Sequence, residues 1–162
     1  MAVRNLSEIG ENAQKIVKRL MSNQDLVKLL YYTDKDPLSH DDFTPEELKT
    51  KIYQKLIKII PRIGPKEGAE SIITINIVGG NQNENNEFKN IGVNVEVLVP
   101  LTQWFIKDDN LRPFKIMGEV QKSLNDKTIN GLGKMTGGDF ALNYISDEVI
   151  DYIQYFTITS YD

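Results

Sequence analysis

Residues 70–100 read ESIITINIVGGNQNENNEFKNIGVNVEVLVP, and the second half of that stretch decides the fold. Ile91, Val93, Val95, Val97 and Val99 fall on every other residue, while Gly92, Asn94 and Glu96 fill the places between. Only a strand with one buried and one wet face satisfies a period of two. The first half carries Ile73, Ile75 and Ile77 on one parity with Thr74 and Asn76 on the other, and Gly79 and Gly80 close it. The two halves therefore form an antiparallel hairpin with a long tip. Full burial of such β-branched side chains stabilises by about 1.5–3 kcal/mol each before chain entropy is set against it, so the remaining elements must cover that face.

Residues 79–90 form the tip. Asn81, Gln82, Asn83, Asn85, Asn86 and Asn90 supply many hydrogen-bonding groups and almost no apolar area, so the segment is expected to be mobile in the free subunit. Phe88 is its exception. A hairpin can turn in two to five residues, and a tip of about twelve marks either function or a tolerated insertion. Asn81, Asn83, Asn85, Asn86 and Phe88 are accordingly candidates for binding a partner, with Phe88 as the anchor and the asparagines bonding to partner backbone.

Outside the hairpin, the 162 residues suit one domain, 1–162, long enough for a core without staples. No cysteine is present, which excludes a thiol nucleophile, a redox pair and a zinc finger, and His40 is the only histidine. A net charge of −4 argues against a domain that grips nucleic acid over its whole surface. No apolar run has signal-peptide or membrane-span character, so the chain is expected to stay in cytosol-like solution.

Asn5 and Glu8 have capping-box spacing, and Ile9, Ala13, Ile16, Val17 and Leu20 follow at helical spacing. Residues 22–25 interrupt that stripe before Leu26, Leu29 and Leu30 resume it, so residues 5–32 hold two helices or one broken helix. Residues 33–43 form a loop. Thr44, Pro45 and Glu47 supply an N-cap, a proline at the first helical position and an acidic third position. They open a helix with Leu48, Ile52, Leu56, Ile59 and Ile60 as its apolar face, stopped by Pro61. Residues 100–110 are a looped or extended connection. Arg112 and Pro113 start a further helix with Phe114, Met117, Val120 and Leu124 on one stripe. Gly131, Gly133, Gly137 and Gly138 form a bend or bulge, followed by a short strand over 140–145 and a long one over 149–161. The expected fold is α+β: an antiparallel or mixed four-stranded sheet of two hairpins, with the N-terminal helices and one helix between the hairpins packed on one face.

No constellation has catalytic spacing. Asp34, Asp36, Asp41 and Asp42 share a loop, but a calcium loop counted from Asp34 would need Gly and Glu where Ser39 and Pro45 stand. The glycines match neither phosphate-binding fingerprint. Ser39 and His40 are neighbours in sequence, which does not supply a triad's geometry. Lys51, Lys55, Lys58 and Arg62 make a basic helical stripe that either meets an acidic or phosphate-bearing partner or is simply solvated. Trp104 and Phe105 are core by default. No enzyme activity, metal or cofactor is expected.

Asn23–Leu38, Ile59–Ile63, Arg112–Leu124 and Gly131–Gly133, together with the helix, hairpin, helix, hairpin order, resemble the tail terminator and neck proteins of tailed bacteriophages. That resemblance implies a structural virion protein, assembled in the host cytoplasm. It would form a homo-oligomeric ring, commonly a hexamer, at the head-proximal end of the tail, where it halts tube growth and joins tail to neck. Its partners would be the tail tube protein and neck or connector proteins, with no membrane. DNA would cross the lumen without specific binding, which an acidic wall suits. A head-completion or neck connector is the competing class, and a small cytosolic enzyme, which would need a perturbed ionisable pair in a deep pocket, is the third.

Overall fold

The N-terminal caps form as their side chains dictate. Asn5 accepts the Glu8 backbone amide at 3.0 Å and opens helix α1, Leu6–Met21. Asn23 accepts the Leu26 amide at 3.0 Å and opens α2, Gln24–Tyr31, so the interruption at 22–25 is a re-capping point between two helices. The computed structural model describes Val3 and residues 5–60 and 70–160.

Thr44 and Glu47 close a reciprocal capping box on α3, Pro45–Glu47, but the helix expected to run on to Ile60 does not. Residues 48–52 make one wide turn in which the Tyr53 amide reaches the Leu48 carbonyl at 2.9 Å, and Gln54 at φ +55° ends it. Strand β1, Ile57–Ile59, follows and pairs in parallel with β2, Ile72–Gln82. The β-branched Ile57 and Ile59 fit a strand at least as well as a helix, and pairing Ile57 with Ile73 buries both completely. Pro61, the expected stop, lies outside the described residues.

Strand β3, Phe88–Pro100, pairs antiparallel with β2 and places Val93, Val95 and Val97 opposite Ile77, Ile75 and Ile73. Residues 101–111 carry two single helical turns and a small two-stranded ribbon, β4 (Phe105–Ile106) with β5 (Asn110–Leu111). Helix α4, Arg112–Leu124, leads to β6 (Lys127–Ile129), β7 (Gly133–Ile145) and β8 (Val149–Thr159). The main sheet has the order β1-β2-β3-β8-β7-β6. It is a curled, mixed, six-stranded half-barrel, not the expected four-stranded sheet, although the α+β class stands. The two additional strands are β1 and β6, which flank the sheet. Each has only three residues, too few to display a period of two in sequence.

Two further expectations are corrected. Of the glycine run only Gly131 precedes the second hairpin's first strand; Gly133, Gly137 and Gly138 lie within it. A Cβ on Gly133 would overlap the Thr159 carbonyl oxygen and one on Gly137 that of Tyr155, so these glycines at positive φ let β7 lie against β8, with a bulge between Gly137 and Asp139. On α4 the buried arc comprises Pro113, Ile116, Met117, Val120 and Leu124. Phe114 sits roughly 100° from the centre of that arc at 100° per residue and is 42% exposed.

The core lies between the sheet's Ile- and Val-rich face and the helices; α1 and α4 lie on the sheet, and α2 packs on both. Gln154 of β8 donates to the Met117 carbonyl at 3.1 Å, tying sheet to α4. Arg112, fully buried, ties together the segments that enclose the other end. Its Nε donates to Gln103 O at 2.8 Å, Nη1 to Leu29 O at 2.6 Å and Tyr32 O at 2.8 Å, and Nη2 to Asp34 O at 2.7 Å.

Replacing Arg112 by Ala strands those carbonyls and is expected to cost about 3 kcal/mol or more. Arg112→Lys should recover only part of that, because an ammonium lacks the planar fork. Urea unfolding measures both; a lysine variant as stable as the native chain would show that charge alone is what the site needs.

Candidate functional site

The residues singled out in sequence fall into two places. At the hairpin, β2 runs to Gln82 and β3 begins at Phe88, so the tip is the five-residue turn 83–87 and not a loop of about twelve. Gly79, Gly80 and Asn81 pair with Gly92, Ile91 and Asn90. Asn83 builds the turn: its Oδ1 accepts the Asn85 amide at 3.0 Å and the Glu87 amide at 2.9 Å, and its own amide donates to Glu87 O at 2.9 Å. Asn86 supports it at φ +60°, a conformation asparagine tolerates. Asn81, Asn85 and Asn86 face solvent.

Phe88 is not an outward anchor. Its ring is 9% exposed and belongs to the core, its amide donates to Val3 O at 2.8 Å and its carbonyl accepts from Ser160 Oγ at 2.7 Å. A large aromatic beginning an apolar strand buries its area where cover exists, and the chain's two ends provide that cover.

The lysines do not share a helical face, because no helix spans them. Lys51 lies on the wide turn after α3, 3.0 Å from Glu47 and with its Nζ 5.6 Å from the centre of the Tyr31 ring. Lys55 bonds to Thr50 O in the following turn, and Lys58 is in β1. Arg62 lies outside the described residues. Lys51 and Lys55 do meet at a cavity of about 520 Å³, bounded also by Tyr31, Tyr32, Asp34 and Glu70. The hydrogen bond from the Thr44 amide, then that from Lys51, holds the Glu47 carboxyl below its usual range, and Glu47 raises Lys51 in turn.

The acidic loop serves as a set of local partners. Asp42 pairs with the buried Lys28 at 2.6 Å, Asp36 with Lys107 at 3.2 Å, and Asp34 with His40 Nε2 at 2.7 Å. His40 is stacked on Tyr32 at 3.7 Å, while Ser39 Oγ donates to Asp36 O. Ser39 is thus turned to backbone and not toward the imidazole. Desolvation raises the Asp34 carboxyl, but hydrogen bonds from His40 and the Asp36 amide outweigh it, and the net shift is downward. Among the described residues no three His, Cys, Asp or Glu are grouped as a metal would need, and no helix is long and apolar enough to cross a membrane.

A surface that sequence reasoning missed lies at the far end of β7 and β8. Phe114, Phe140 and Tyr152 touch edge-to-face or tilted at 5.4–6.1 Å between ring centres, and Trp104 stacks on Tyr152 at 6.5 Å. Phe140 and Phe105 are more than half exposed. Trp104 therefore joins the edge of the core, as the default reading has it, and Phe105 does not. Alternation in 140–145 carried the signal, but it could not say that Phe140 would be met by Phe114 of α4 and still stay more than half exposed.

Because Asp34 has a lowered pKa in the folded chain, its stabilisation is present above the ordinary carboxylate range and lost as pH falls through the folded value. Asp34→Asn is expected to destabilise by less than ~1 kcal/mol at neutral pH, the pair being half exposed, with no difference from the native chain at low pH. Urea midpoints across the acid range test this.

The family model YomW matches residues 23–158. YomW is the name of a phage-derived prophage gene family, which makes the protein phage-associated. No curated protein matches the chain.

Proposed function

We propose that this chain, which belongs to the YomW family, is a structural subunit of the virion: a tail terminator that forms a ring at the head-proximal end of a phage tail, halts tube growth and joins tail to neck. The observation that carries the reading is the family match over 23–158, since it supplies the phage context in which the resemblance applies. The stretches that bear the resemblance are also bonded to one another. Arg112 grips Leu29, Tyr32 and Asp34, and Asn23 donates to Glu119 Oε2 and Ser123 Oγ of α4, each at 2.9 Å. They act as a joint scaffold, which suits a structural subunit.

On this reading the chain does no catalysis and carries no cofactor. Its contacts are with copies of itself, in a hexamer, and with tail tube and neck proteins, and DNA passes the acidic lumen without specific binding. Asn81, Asn85 and Asn86 present amides to a neighbouring ring, with Asn83 holding the turn that displays them. Lys51, Lys55 and Lys58 offer charge at a separate place. The protein is assembled in the host cytoplasm and resides in the virion.

Replacing residues 83–87 by Asn-Gly keeps both strands and supplies the dipeptide a two-residue hairpin turn favours. The shortened protein is expected to fold and form rings, as seen by light scattering and negative-stain images, yet fail to complete purified tail tubes. Normal completion would remove the tip from docking. Native protein that binds filled heads and never tubes would reassign the chain to head completion.

A further inference from the structure

Strand β7 has a free edge. β6 covers it only from Gly133 to Met135, and the next amide, at Gly137, is taken by Asn125 Oδ1 at 3.0 Å. Beyond that point, among the described residues, no strand pairs with β7 on the side away from β8. A row of unpaired amides and carbonyls on an exposed strand is a template for another strand, and folds usually blunt it with lysine or proline. Residues 136–145 contain neither.

The occupant is written in the sequence of that edge. Asp139, Phe140, Ala141, Leu142 and Asn143 read polar, apolar, small, apolar, polar, which is the same pattern in both directions. Between the register shifts at Gly137/Asp139 and Leu142/Tyr144 the strand is regular, with Phe140 and Leu142 on the helix side, opposite Gln154 and Tyr152, and Asp139 and Ala141 on the other side. In an antiparallel pair, residues directly opposite each other point the same way. A two-fold axis at Ala141 therefore sets Phe140 against the partner copy's Leu142; Asp139 comes near the partner copy's Asn143, which lies in the register shift with its Nδ2 on Asp151 Oδ2 at 2.7 Å, so no like charges are directly opposed. Phe140 and Leu142, 54% and 49% exposed, would be covered by their own counterparts. A two-fold pairing uses the same edge on both copies, so it closes on one partner instead of extending into a fibre.

We propose that the β7 edge is a self-recognition surface, on which two copies of this chain pair antiparallel about Ala141 and join their half-barrels into one sheet. The inference does not rest on the tail reading.

The chain has no cysteine, so a single introduced thiol reports its own position. Ala141→Cys places two thiols on the axis, with Cβ atoms about 4.5–5.5 Å apart, and mild oxidation or a short thiol-to-thiol reagent is expected to give a covalent dimer. Ile145→Cys, outside the regular run, is expected to give far less. Leu142→Lys, at an exposed position, should lower the mass in light scattering to half the native value or less while leaving the circular dichroism unchanged. A native chain that is monomeric at every concentration, or Ala141→Cys that never cross-links to itself, overturns the proposal. Rings that form without that cross-link would overturn it too, and would leave the ring reading standing.

Discussion

A guanidinium held by backbone carbonyls alone is the interaction on which the arrangement of segments depends. α2 ends at Tyr31, and the last carbonyls of a helix have no partner within it. Arg112 takes two from that end, Leu29 and Tyr32, and adds Asp34 from the loop and Gln103 from the turn after β3. Its positive charge stands at the negative end of the α2 dipole. Burial lowers the Arg112 pKa and the Asp34 charge partly restores it, but arginine starts so high that the group stays charged. One side chain thus fixes where α4 begins relative to α2, and Ser71 Oγ, donating to the Gln103 side chain at 2.9 Å, extends the same junction to the start of β2.

This junction shows what could and could not be read from the residues in order. Arg112 and Pro113 announce a helix start, and the start is where they put it. Nothing local says that the arginine is buried, because its partners are carbonyls, which every residue has. The caps at Asn5 and Thr44 were legible for the opposite reason: each satisfies an amide three residues on. The alternation of Ile91–Val99 was legible because a long strand with one wet face leaves no other choice.

Where competing elements could use the same residues, sequence alone chose wrongly. Leu48, Ile52, Leu56 and Ile59 have helical spacing, yet Ile57 gains complete burial by pairing with Ile73, and the chain turns at Gln54 to allow it. The hairpin's polar tip reads as a loop because asparagine and glycine are poor strand formers. Their backbones pair nonetheless, since β3 supplies partners from Gly92 to Phe88, with register shifts at Ile77/Gly79 and Asn81/Gln82. Among the candidate site residues, the exposed asparagines were legible from polarity. Phe88 was misplaced because its cover comes from Val3 and Ser160, at the far ends of the chain.

The uncovered aromatic surface follows from element lengths. α4 has 13 residues and so spans about 20 Å at 1.5 Å per residue, whereas β7, also of 13 residues, spans about 43 Å at 3.3 Å per residue. A strand twice as long as the helix lying against its sheet must leave one end bare, whatever its side chains. A chain selected only to be soluble would place polar residues there. This one continues the apolar alternation through Phe140 and Leu142, and lays Phe114 and Tyr152 against them, so the bare end has the composition of a core. Contiguous exposed apolar area of this kind is a liability unless something covers it, and its placement beside an open strand edge means that one partner could satisfy both the side chains and the backbone.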